Sequence, residues 1–80
     1  MTTLADDYIR DLGYLLRERA FEAKERFHAA ETLDARGFEG GRYMAYYEII
    51  SLMLSQAESF NLPPEWIALQ DLDPEADLIG

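Results

Sequence analysis

The sequence predicts an all-α protein: an antiparallel hairpin of two long helices, a short C-terminal helical turn and an acidic tail, with two hairpins pairing into a four-helix bundle. Three observations carry this. Apolar residues recur at three- and four-residue spacing over residues 9–30 and again over 43–57, which is the α-helical period. Only a short stretch without Pro, centred on residues 33–37, separates the two runs, and helices joined by a short link become antiparallel neighbours. At 80 residues and no Cys, the chain buries a small share of its surface and has no disulfide or thiolate metal site to compensate, so self-association is the remaining source of stability.

The first helix is signalled at Thr3-Leu4-Ala5-Asp6, whose spacing is that of a capping box, with Asp6 and Asp7 placing negative charge on the first turn. Its apolar stripe is Ile9, Leu12, Leu16, Ala20, Ala23, Phe27 and Ala30. Leu4, Tyr8 and Leu15 widen the stripe in the first half. Further along, the same flank carries Arg19, Glu22 and Arg26, spaced for ion pairing within the helix. Gly37 is the expected left-handed residue that ends this helix.

The second helix is expected from about residue 38 to residue 60, stopped by Asn61-Leu62-Pro63-Pro64. It is apolar around most of its circumference. One seam holds Tyr43, Tyr47, Ile50, Leu54 and Ala57; a second holds Tyr46, Ile49, Met53 and Phe60, widened by Ala45 and Leu52. A helix with two seams packs against two neighbours, the first helix being one and a second copy of the chain the other. Gly37, Gly41 and Ala45 are expected opposite Ala20, Ala23 and Ala30, bringing the helices closest near the loop.

The chain thus divides into a hairpin, residues 1–61, and a tail, residues 62–80. Pro64 suits the first position of a helical turn. Asp73 and Pro74 repeat that logic as N-cap and first residue. Because the first helix is expected to be the longer, the tail is expected to fold back over its start, through Trp66, Ile67, Leu69 and Leu72.

Seven Lys and Arg against sixteen Asp and Glu give a net charge of −9, which opposes binding to nucleic acid or to anionic membranes and favours a partner with a basic surface. Neither a leader-like start nor a membrane-length apolar run is present in the sequence, which points to the cytoplasm. Glu25 and His28 have the Glu-x-x-His spacing of di-iron bundles, but the second helix offers no matching pair and both fall off the apolar arc, so solvent-facing side chains are the expectation. Residues 71–77 lack the Gly that a calcium loop needs at its sixth place. With no Cys, one His and no phosphate loop, no catalysis and no cofactor are expected.

What remains is surface. Tyr43, Tyr46, Tyr47, Ile50 and Leu54 on the second helix, with Tyr14 and Phe21 on the first, are the expected interface, for a second copy or for a foreign partner. The expected function is that of a non-enzymatic protein-binding regulator or inhibitor. The rival expectations are a carboxylate-rich metal-binding bundle and an acidic nucleic-acid mimic.

Overall fold

The computed structural model describes residues 3–79. Two long helices dominate them: α1 over Leu4–Ala29 and α2 over Leu33–Ser59, packed against each other as a hairpin. The capping box forms as the spacing predicts. Thr3 Oγ1 accepts from the Asp6 amide at 3.1 Å, and the Asp6 carboxylate accepts from the Thr3 amide at 3.0 Å.

The break between the helices lies earlier than expected. Ala30 is extended and Thr32 caps α2, its hydroxyl accepting from the Ala35 amide at 3.1 Å. Gly37 therefore sits in the second turn of α2 instead of ending α1, and no glycine among the described residues has a positive φ. A hydroxyl that satisfies an otherwise orphaned helix-start amide is worth about 1 kcal/mol, and the roughly 1 kcal/mol that a glycine costs inside a helix does not prevent the helix from running through it. With the loop displaced, the small residues change partners. Gly37, Gly41 and Ala45 face solvent, whereas Gly40 lies under the Phe27 ring, where an added Cβ would stand 3.1 Å from the ring edge.

At its far end α2 closes by a left-handed turn. Asn61 has φ 57°; its amide donates to Glu58 and the Leu62 amide donates to Ala57 at 2.8 Å, a Schellman motif that stops the helix just before the two prolines.

The tail then turns back. A 3₁₀ turn, Pro64–Ile67, leads through Ala68 and Asp71, both left-handed, to a single π-type turn, Pro74–Leu78, capped by the Asp73 carboxylate. It returns along the hairpin toward the loop, and four side chains of residues 62–79, Ile67, Leu69, Leu72 and Leu78, enter the same core as Ala20, Ala23, Tyr43, Ile50 and Ala57. The tail is therefore a third layer of the core. The expectation that it covers the start of a longer first helix is corrected on both counts: the helices have 26 and 27 residues, and Leu4 and Tyr8 stay bare. The molecule is long and thin, 48 × 22 × 16 Å, with a radius of gyration of 14.0 Å, against about 11.6 Å for a compact chain of this length. None of the described helices is long and apolar enough to cross a membrane.

Candidate functional site

The surfaces open to a partner follow from how the tail is held. Its backbone lies against α1 at Gly13, where an added Cβ would overlap the Ile67 carbonyl oxygen. Arg17 donates to the Gln70 carbonyl at 2.7 Å and, more weakly, to that of Ala68. Lys24 donates to the Asp77 carbonyl at 2.7 Å. From α2, the Tyr43 hydroxyl donates to the Leu78 carbonyl. Gly13, Arg17 and Lys24 lie on one side of α1, and together with Tyr43 they fix the tail at four points along the hairpin.

This fastening decides where the expected interface residues lie. Tyr43 and Ile50 are inside the chain's own core and offer no surface. Tyr46, Tyr47 and Leu54 are half-buried against it, as is Phe21. Tyr14 is 51% exposed. Of the tail residues expected to pack, Ile67, Leu69 and Leu72 are buried, while Trp66 remains 44% exposed.

The sequence does not single out Gly13, Arg17, Lys24 and Leu78 as anchors. Gly13 has a visible signal, a lone glycine within a strongly periodic helix, which commonly marks a close approach. For Arg17, Lys24 and Leu78 there is none, because their partners are backbone carbonyls or a core assembled from three distant segments.

Along the outer flank of α1, Asp7, Asp11, Tyr14, Glu18, Phe21, Glu25 and His28 recur at spacings of four and three. They form one continuous stripe in which rings alternate with carboxylates. Shallow depressions follow it: one between Asp7 and Tyr14, one around Tyr14, Glu18 and Phe21, and one between Phe21 and His28. Glu18 beside Tyr14 holds the Tyr14 hydroxyl above its usual range. The ion pairs among the described residues lie elsewhere, Glu22 with Arg26 at 2.8 Å and Glu39 with Arg42 at 3.2 Å. Of the cations beside the stripe, Arg17 and Lys24 are turned to the tail, while Arg10 is exposed next to Asp7, Asp11 and Tyr14 and takes part in neither of these ion pairs. The carboxylates of Asp7, Asp11, Glu18 and Glu25 are thus left facing solvent.

Glu25 and His28 are both exposed, and His28 packs edge-on to Phe27 with ring centroids 5.4 Å apart. Among the described residues no three His, Asp or Glu side chains converge as a metal site.

Comparison of the chain with protein-family models, with curated proteins and with solved structures gives no match.

Proposed function

We propose that this protein is a small non-enzymatic cytoplasmic regulator or inhibitor, a homodimeric helical bundle that binds another protein through the outer flank of α1. The observation that supports this is the ring-and-carboxylate stripe from Asp7 to His28. Tyr14 and Phe21 supply apolar area seven residues apart, and the acids of the stripe, Asp7, Asp11, Glu18 and Glu25, take part in neither ion pair among the described residues. Such a stripe fits an amphipathic helix that presents Lys or Arg beside apolar anchors, because charge complementarity guides encounter and buried rings supply affinity.

The test is affinity capture from the native cell extract with the intact chain, side by side with Tyr14→Ala and Phe21→Ala. A partner with a basic surface that is retained by the intact chain and lost with either variant is expected. Equal capture by all three chains would remove the flank from the proposal. Salt separates this from phosphate mimicry: a complex anchored by rings persists at high ionic strength, whereas one held by mimicry of a phosphate backbone weakens steeply.

A further inference from the structure

On the side of the hairpin away from the tail, the open end is apolar. From α1 come Leu4, Tyr8 and Leu12, and from α2 Ile49, Leu52 and Phe60, with Leu4, Leu52 and Phe60 each more than 60% exposed. At about 100° per residue, Tyr8 lies diametrically opposite Arg17, the residue that grips the tail. On α2 the three apolar residues stand roughly 120–160° around the helix from Leu54, which lines the cleft beside Pro63 and Pro64. At the edge of this face, where Phe60 meets the start of the tail, lies an apolar notch of about 190 Å³ bounded by Met53, Gln56, Ala57, Phe60, Leu62 and Ile67.

Area and charge say what covers this face. The chain exposes 5654 Å², whereas a compact monomer of its 9.2 kDa mass exposes about 4,900 Å². The excess over the whole surface, about 750 Å², is close to the roughly 800 Å² that each partner contributes to a standard stable interface. The chain carries a charge of −9, yet the six residues of the face are uncharged, with Asp11 and Glu48 only at its rim, so a basic partner finds carboxylates at the margin and none at the centre. A neutral apolar patch is complementary to itself, as an isologous pair requires.

Toward the loop the same side of α1 becomes charged, with Arg19, Glu22 and Arg26. Two copies with loops side by side would set each of these against its own image. Loops pointing apart overlay only the apolar halves.

We infer that a second copy of this chain covers the open-end face, the two hairpins meeting about a two-fold axis with their loops pointing in opposite directions. The inference rests on the homodimer reading above and moves the contact away from Tyr43 and Ile50 to Tyr8, Leu52 and Phe60. It leaves the outer flank of α1 free on both copies.

Sedimentation of the intact chain across micromolar concentrations tests it, together with Leu52→Glu, Tyr8→Glu and, as a control on the outer flank, Tyr14→Glu. All three positions are exposed, and circular dichroism verifies that each variant keeps its helices. The expected result is a dimer that Leu52→Glu and Tyr8→Glu each weaken roughly 30-fold or more and Tyr14→Glu leaves unchanged. A folded monomer at every concentration overturns both the inference and the homodimer reading, and hands the face to a foreign partner. A dimer indifferent to Leu52→Glu and Tyr8→Glu overturns the face while the homodimer reading stands. Because the chain has no Cys, a spin label on Glu31→Cys reports the orientation. A label separation above the 48 Å length of one hairpin is expected, and a shorter one overturns the arrangement.

Discussion

The two sides of the hairpin begin from similar side chains and end differently. On one side Tyr43, Ile50 and Ala57 are sealed by the chain's own tail, which is pinned through its backbone carbonyls by Arg17, Lys24 and Tyr43. On the other, Tyr8, Leu52 and Phe60 stand bare although the same helices present them. The difference teaches that apolar periodicity alone does not locate a core in a chain this small. What locates it is the reach of the tail, whose returning segment covers one side only.

The most severe way to break this contrast is to end the chain at residue 61. That removes Ile67, Leu69, Leu72 and Leu78, each worth about 1.5–3 kcal/mol by burial, a total comparable with the roughly 5–15 kcal/mol that holds a domain folded. Loss of cooperative thermal unfolding by circular dichroism is expected; a truncated hairpin that still melts sharply would show the tail to be an accessory.

Next in size is a paired substitution across the two sides. Ile50→Ala, at a fully buried position, is expected to destabilise by about 2–5 kcal/mol. Leu52→Ala, two residues away and bare, should change stability by no more than about 0.5 kcal/mol in urea titrations run dilute enough to keep the chain monomeric. Similar losses at both sites would erase the distinction between the sides.

Gly13→Ala probes the seam between tail and α1. Its methyl group meets backbone and no movable side chain, so a loss of about 1–3 kcal/mol is expected, read as a lower urea midpoint with the helical signal retained. The smallest expected effect sharpens the comparison in the other direction. Ala68 is held left-handed at φ 57°, a conformation that costs an L-residue about 1–2 kcal/mol; Ala68→Gly should relieve part of it and raise the melting temperature by a few degrees.

Much of the frame is legible because it is local. The Thr3 and Asp6 box, the Asp73 cap with Pro74 behind it, the turn begun by Pro64 and the second apolar seam of α2 can all be read from residues within one or two turns of each other. The hairpin break is misread because glycine at 37 looks like a helix end, while the deciding residue is Thr32, whose hydroxyl caps α2 and allows Gly37 to be absorbed. Ile67, Leu69 and Leu72, buried in the structure, are apolar residues of a kind that packs. Their destination beside Gly13, Arg17 and Tyr43 is not legible, since it depends on three left-handed residues, Asn61, Ala68 and Asp71, and Ala68 is of a type that rarely adopts that conformation. The candidate surface divides in the same way. Tyr14 is recognisable as lying outside the apolar arc, but that Tyr43 and Ile50 are covered by the tail is a tertiary fact.

The bonds that Arg17 and Lys24 make to the tail join residues 51 to 53 positions apart, whereas α1 meets α2 across a loop of three residues. Short closures precede long ones in folding, so the hairpin zips first and the tail docks last. Because the tail and both helices share one core, undocking the tail and melting the hairpin are expected to be one event, with the amides of Leu69 and Ile50 opening at the same free energy in hydrogen exchange. On the ribosome the tail also emerges after the hairpin. Until it does, the nascent hairpin is apolar on both sides, and that interval is when the molecule is most exposed to aggregation and to chaperones.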